Sequence, residues 1–236
     1  MVRYHLGTQD LEGTMKKAII TGVSGGVGNL LAHTLSSNGY FVIGTSRHPE
    51  GISNLNSENI KIEHLDLSDD KSISNFYNKY KDETIDLIVN NASCAGIDGA
   101  KTISKETTDN FMHSYMVNVA GPMYLSKLFI SNLKKSDNAT IVFISSFAKK
   151  HFYPGGGNYA TSKLSISGLA KLFRLELSHF KVKVTEICPA AINTHQHNDG
   201  ALEAEDIANA ILWISELPQR CNIDLIEISP SIVSQG

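Results

Sequence analysis

From residue 15 onward, short apolar, β-branched runs alternate with longer segments whose apolar residues recur at helical spacing. The runs are Ala18 to Thr21, Tyr40 to Thr45, Ile60 to Leu65, Ile85 to Val89, Thr140 to Ile144, Val182 to Ile187 and Ile223 to Ile228. The helically spaced segments include Val27 to Ser37, Ser72 to Tyr80, Phe111 to Leu133, Tyr159 to Phe180 and Ala204 to Leu217. Each run is almost continuously apolar, the pattern of a strand covered on both faces. Strands alternating with helices predict an α/β chain of βαβ units around a parallel sheet of about seven strands. No repeat, low-complexity tract or linker interrupts the alternation, so residues 15–236 read as one domain. Residues 1–14 carry neither period, nor the basic-then-apolar pattern of a signal peptide. They are expected to form a flexible arm or an expression remnant ahead of Met15.

Composition narrows the class. Hydrophobic residues make up 42% and charged residues 19%, a globular balance rather than a disordered one. The net charge of −3 gives no basic footprint for nucleic acid or an anionic membrane. No apolar run approaches the roughly eighteen residues of a membrane span. Cys94, Cys188 and Cys221 form no CxxC pair and no zinc spacing, which points to a reduced, cytoplasmic chain.

Candidate chemistry begins after the first run, with Thr21-Gly22-Val23-Ser24-Gly25-Gly26-Val27-Gly28 leading into a helical pattern. Glycines there let the backbone approach a ligand, and the free N–H groups of the following helix can receive a pyrophosphate. A tight strand-to-helix turn is the plainer reading of the same residues. Placement after strand one of a βαβ series favours a dinucleotide. An NAD site usually has an acidic residue at the tip of strand two. Here the tip reads Thr45-Ser46-Arg47-His48, and a guanidinium suits a ribose 2′-phosphate. NADP(H) is therefore expected over NAD(H), with Glu50 as the alternative ribose ligand and a solvated Arg47 as the plain reading. After the third run, Asp66 precedes Leu67 and is placed to reach an adenine edge, or simply to make a turn.

A second constellation follows the fifth run. Ser146 closes it, and Tyr159 and Lys163 lie four apart, on one face of a helix. An ammonium beside a phenol is expected to lower the tyrosine pKa from about 10, tuning it as general acid for a carbonyl oxygen or base for an alcohol. The Ser146 hydroxyl can bond the same oxygen. A core tyrosine with a surface lysine is the bland reading of Tyr-x-x-x-Lys alone.

Together these pieces resemble the short-chain dehydrogenase/reductase family over about residues 15–229. The matching segments are TGVSGGVG at Thr21 to Gly28, Asp66, NNAS at Asn90 to Ser93, Asn118, Ser146, YATSK at Tyr159 to Lys163 and PAAINT at Pro189 to Thr194. The resemblance implies a single-domain, Rossmann-like doubly wound parallel sheet and hydride transfer between NAD(P)H and a carbonyl or alcohol. It implies a tetrad of Asn118, Ser146, Tyr159 and Lys163, with Asn118 helping to hold a proton-relaying water. The implied cofactor residues are Gly22, Ser24, Gly25, Gly26, Val27, Gly28, Ser46, Arg47, Asp66, Leu67, Asn91, Ala92, Ser93, Tyr159, Lys163, Pro189, Ala190, Ile192 and Thr194. Asn91 would lie near a cofactor ribose and Ile192 would meet the carboxamide. The family usually has glycine where this chain has Ser93 and Ala190. Homodimers or homotetramers are implied, with Met112, Met116, Phe129, Leu169 and Phe173 as candidate contacts, which ordinary core packing explains as well.

The tail from Ala204 to Asp224 resembles the serine 3-dehydrogenase and 3-hydroxy acid dehydrogenase branch. Only eight residues separate Thr194 from Glu203, a short lid for this family. His151, Phe152 and Tyr153 are expected to line the pocket wall. His195 and His197 have no third ligand, so no metal is assigned. Cys94 is placed to face the pocket. The leading expectation is an NADPH-dependent oxidoreductase acting on a small carbonyl or alcohol. The alternatives are a non-catalytic NADP-binding regulator or structural subunit, and a 3-hydroxy acid dehydrogenase. The last needs a cation for the substrate carboxylate, for which Lys149 and Lys150 are candidates.

Overall fold

The computed structural model describes residues 15–193 and 201–231. The expected arm at 1–14, and with it Thr194, His195 and His197, lies outside the described residues. The apolar runs form strands β1 (Lys16–Thr21), β2 (Tyr40–Ser46), β3 (Ile60–His64), β4 (Leu87–Asn90), β5 (Thr140–Ile144), β6 (Lys183–Pro189) and β7 (Leu225–Ile228). They pair in the order β3-β2-β1-β4-β5-β6-β7, every pair parallel. The chain reverses its direction of winding between β1 and β4, where open α/β sheets form a crevice at their strand C-termini.

Helices cover both faces: α1 (Gly26–Ser37), α2 (Asp70–Tyr80), α3 (Thr108–Tyr115), α4 (Gly121–Leu128), α5 (Ile130–Leu133), α6 (Gly157–Leu177) and α7 (Ala204–Glu216). The two-residue strand period sorts side chains between two cores. Ala18, Ile20, Val42, Val89, Val142 and Ile144 pack under α1 and α7 with Leu31, Leu35, Ile207 and Ile211. Ile19, Ile43, Ile88, Ile141 and Phe143 pack under α2, α4 and α6 with Phe76, Leu125, Ile166 and Ala170. Local signals set the helix ends. Asp69 caps α2 by accepting from Lys71 N at 2.9 Å, and Glu203 and Asp206 form a capping box on α7.

Two expectations need correction here. The long helix expected over Phe111 to Leu133 stays helical through Leu128 but widens locally into a π turn, and breaks only at Phe129. A π turn at Met116–Ala120 separates α3 from α4, and Phe129 leaves helical geometry before α5. Pro122 is the physical cause nearest to hand, because it has no N–H to return to the Asn118 carbonyl four residues earlier. Phe129 and Phe173 are buried core residues and the half-buried Leu169 packs against that core, so core packing accounts for Phe129 and Phe173. The outward face of α6 instead exposes Leu164, Leu172 and Leu175.

Candidate active site

At the crevice between β1 and β4, residues Gly22 to Gly28 turn the chain from β1 into α1. Gly22 has φ +74°, and a Cβ there would stand 2.8 Å from the Ala92 Cα. A Cβ on Gly28 would stand 2.4 Å from the Gly22 carbonyl oxygen. These two glycines make the turn close. Gly26 differs: nothing lies within 4 Å of its would-be Cβ. Ser24, Gly25 and Gly26 are exposed, and the first turn of α1 has neither a side-chain cap nor an acidic residue. Its orphan N–H groups are therefore left for an anion.

The groove above this turn has a volume of about 290 Å³. Its walls bring together most of the expected cofactor residues: Gly22, Ser24, Gly25, Gly26, Val27, Gly28, Ser46, Arg47, Asp66, Leu67, Asn91, Ala92 and Ser93. Cys94 and Val117 also line it. The exposed Arg47 guanidinium stands at the tip of β2, whereas Glu50 is turned to His48, 3.4 Å away. The Asp66 carboxylate accepts from the Ser68 N–H at 2.8 Å and the Ser68 hydroxyl at 2.6 Å. Burial works against its charge, but the Ser68 bonds, with Arg47 and His113 nearby, hold the carboxyl below its usual range. Asp66 is thus the turn residue of its plainer reading while it lines the groove.

Asn91 lines the groove and also braces it. Its side-chain N–H group donates to the carbonyls of Thr21 at 2.8 Å and Gly22 at 3.1 Å, bracing the glycine turn against β4. Thr21, which sequence reasoning missed, completes the brace: its hydroxyl oxygen accepts from the N–H groups of Asn91 and Ala92, both at 3.0 Å.

The reacting-group candidates stand at the C-terminal end of β5 and the first turns of α6. Ser146 caps a short 3₁₀ turn, accepting from Ala148 N at 3.2 Å. Its hydroxyl faces the Tyr159 phenol. Lys163 is buried, donates to the Ile144 carbonyl at 2.9 Å, and lies 5.5 Å from the Tyr159 ring centroid. Burial lowers its pKa to about 8. The expected depression of the Tyr159 pKa is not what these protein groups produce. Burial holds the phenol above its ordinary value, opposed by Ser146 and Ser93. The ammonium sits by the ring, with one of its three N–H groups donated to the Ile144 carbonyl, and it does not offset that burial.

Asn118, within the π turn, spends its whole side-chain amide on structure. It accepts from Cys94 N at 2.8 Å and donates to Cys94 O and Ser162 Oγ, each at 2.8 Å. It thereby ties the loop after β4 to α6 one residue from Lys163. Asn158, also missed from sequence, secures the start of α6 by donating to the Ala95 carbonyl at 2.7 Å.

Pro189, Ala190 and Ile192 follow at the end of β6, outside the lining of this groove. The Ala190 N–H donates to Ile228 O at 2.8 Å, and Ile192 forms a β-bridge with Leu202. Neither Ser93 nor Ala190 has positive φ, which accommodates both departures from glycine. Tyr153 lies across Gly156, where a Cβ would meet its ring at 2.6 Å, and its phenol acts on Tyr159. His151 instead sits against Phe147, and Phe152 is exposed.

The two candidate carboxylate-binding lysines are already paired. Lys149 is buried against Glu186, with Ser145 and Ser167 bonded to the same carboxylate, and Lys150 pairs with Glu227. Among the described residues, no group of three or more His, Cys, Asp or Glu is placed to hold a metal. No helix among them is long and apolar enough to cross a membrane.

Comparison with known proteins agrees with this geometry. The family model for short chain dehydrogenases matches residues 16–203. The NADP-dependent 3-hydroxy acid dehydrogenase YdfG of Escherichia coli K12 is 27% identical, with 90% of this chain and 94% of that protein covered. A probable NADP-dependent dehydrogenase of Haemophilus influenzae is 26% identical, covering 92% of this chain and 94% of its own. Among solved structures, a metagenomic short-chain oxidoreductase in complex with NADP superimposes with a TM-score of 0.81 at 25% identity. That match covers 92% of this chain and 98% of the other. The closed form of a serine dehydrogenase complexed with NADP⁺ shares the fold, with a TM-score of 0.83 at 24% identity over 93% of this chain and 97% of that one.

Proposed function

The chain belongs to the short-chain dehydrogenase family, and from that premise we propose that it is an NADPH-dependent reductase of a small carbonyl compound, or the alcohol dehydrogenase of the reverse direction. One observation carries the reading: at the C-terminal end of β5 and the start of α6, Ser146 faces the Tyr159 phenol and Lys163 lies 5.5 Å from its ring. The residues present fit the cofactor. The uncapped start of α1 and the open space at Gly26 suit the pyrophosphate, and Arg47 at the tip of β2 suits the 2′-phosphate. NADPH supplies the hydride.

Tyr159 gives its proton to the substrate oxygen while Ser146 orients that oxygen. A phenol held above its ordinary pKa keeps its proton at neutral pH, which suits an acid awaiting a developing alkoxide. Lys163, at about 8, exchanges a proton near neutrality and can resupply the phenol. A relaying water at Asn118 would use its backbone carbonyl, because its side-chain amide is taken. Relatives named for 3-hydroxy acids make those the first compounds to try. The pairing of Lys149 and Lys150 favours an uncharged substrate, with Tyr153 at the mouth. We also propose a cytoplasmic setting, from the unpaired Cys94, Cys188 and Cys221, and self-association through Leu164, Leu172 and Leu175 of α6.

The test is fluorescence titration with NADPH and NADH, followed by a survey of aldehydes, ketones and 3-hydroxy acids. NADPH is expected to bind more tightly than NADH, and Arg47→Ala to weaken it roughly tenfold or more. Tyr159→Phe is expected to bind NADPH and turn nothing over. Binding with no turnover of any compound would favour a regulatory subunit. Equal binding of both nucleotides would remove the role given to Arg47.

A further inference from the structure

Resting on the reading of Ser146, Tyr159 and Lys163 as the reacting set, we infer that the buried pair Lys149–Glu186 is a positioning clamp: with Ser145 and Ser167 it fixes the turn that carries Ser146, and so sets the aim of the Ser146 hydroxyl. None of these four residues belongs to the family tetrad, and none lines the cofactor groove.

Three donors converge on Glu186 Oε1: the Ser145 hydroxyl, the Ser167 hydroxyl at 2.7 Å and the Lys149 ammonium. The ammonium also donates to Ser167 Oγ at 2.9 Å. All four residues are buried. They come from different parts of the fold. Ser145 directly follows β5, Lys149 ends the 3₁₀ turn Phe147–Lys149, Ser167 lies on α6 and Glu186 on β6. Ser146 is thereby bracketed, because a residue on each side of it is tied to the same oxygen. The backbone agrees: the Ser145 N–H donates to Ile187 O at 2.8 Å and the Lys149 N–H to Ser146 O at 3.1 Å. Tyr159, Lys163 and Ser167 follow at four-residue spacing along one face of α6. Lys163 anchors that face to Ile144 O at 2.9 Å, and Asn158 anchors the helix start to Ala95 O at 2.7 Å. The phenol therefore has supports of its own, and what the clamp alone governs is the turn bearing Ser146. Desolvation makes a buried ion pair a poorer source of stability than apolar side chains of similar volume. What the pair supplies is direction, since each hydrogen bond fixes a distance and an angle that an apolar contact leaves loose. A misplacement of about 1 Å at a reacting centre can cost about 10²-fold in rate.

The experiment uses the whole chain labelled with 3-fluorotyrosine and reads the fluorine resonance of Tyr159, assigned by its loss in Tyr159→Phe. Ser145→Ala/Ser167→Ala removes the hydroxyl anchors and leaves the ion pair. Glu186→Leu/Lys149→Met replaces the pair by apolar side chains of similar size. Each double variant is made with Ser146 in place and again in a Ser146→Ala background. With Ser146 in place, both should move the resonance toward its position in Ser146→Ala; in the Ser146→Ala background neither should move it further. In turnover, kcat should fall roughly tenfold or more, while NADPH affinity, read by fluorescence, changes by less than about threefold. That loss of kcat should also vanish in the Ser146→Ala background. A resonance that either folded double variant leaves unmoved, or that ignores Ser146→Ala, overturns the inference. So does a shift or a kcat loss of equal size in the Ser146→Ala background, or an NADPH affinity that falls as far as kcat, each of which would mark a support of the whole fold. The resonance is read without substrate, so failure to find any compound turned over would count against the proposed function and still leave the clamp tested.

Discussion

Lys163 is the place where catalytic use and stability should be most clearly opposed. Its side chain is buried, with one hydrogen bond, to the Ile144 carbonyl. Burial takes its pKa from 10.5 to about 8. At about 1.4 kcal/mol per pKa unit, keeping it charged at neutral pH costs the fold about 3 kcal/mol. Lys163→Met keeps the length of the side chain and removes the charge. It also strands the Ile144 carbonyl, at a cost of about 1 kcal/mol. The variant should therefore be about 2 kcal/mol more stable at pH 7, raising Tm by roughly 4–8 °C for a domain of this size. Below pH 8 the lysine is protonated in the folded and unfolded chain alike, and the penalty is complete. Between about 8 and 10.5 the unfolded chain binds the proton that the folded chain has lost, so wild-type stability climbs relative to the variant. The gap should close at about pH 9.5 and reverse, to about 1 kcal/mol in favour of wild type, by about pH 10.5. Thermal unfolding followed by circular dichroism, from pH 6.5 to 10.5 on both proteins, reads it directly. A variant no more stable than wild type at pH 7, or a gap that ignores pH, would refute the account of a charged lysine held at a cost. Turnover should be lost throughout.

The other predictions concern the turn, the buried ion pair and the pH profile. Gly28→Ala forces a Cβ against the Gly22 carbonyl and should cost about 1–3 kcal/mol in denaturant unfolding, while Gly26→Ala, facing open space, should leave stability unchanged. Glu186→Gln leaves Lys149 charged and buried without its partner, and should cost about 3–5 kcal/mol in the same assay. Adding Lys149→Met to that variant should restore most of the loss, and a strictly additive double variant would refute the pairing as the cause. Since burial raises the Tyr159 pKa, carbonyl reduction should stay level across neutral pH and fall on the alkaline side, whereas alcohol oxidation should rise with pH. Initial-rate profiles in both directions at saturating nucleotide check the two signs.

What was legible in the chain was what neighbours in sequence decide. Five of the seven strands are legible as largely buried apolar runs, β3 and β7 from their β-branched residues although both are partly exposed, and the glycine turn because only glycine allows Gly22 its φ and Gly28 its closeness. The π turn after Tyr115 was written in Pro122, but a continuous helical apolar pattern masks a local loss of one hydrogen bond. That pattern likewise shows that Phe129 and Phe173 lie on an apolar face without saying whether the sheet or a second chain covers it. The pairing of Lys149 with Glu186 joins residues on a turn and a distant strand, and no spacing rule connects them. The sign at Tyr159 was unreadable for a related reason. A lysine four residues on is certain to share the helix face, but whether its ammonium reaches the phenol oxygen depends on competing acceptors nearby. Here one of its three N–H groups goes to the Ile144 carbonyl at the end of β5, and the ammonium lies 5.5 Å from the ring centroid. The phenol is consequently governed by burial and by hydroxyls from two other strand ends, Ser146 after β5 and Ser93 after β4. Residue types and spacing thus identify which groups meet at the crevice, while the acceptors supplied by the sheet decide which of them sets the pKa.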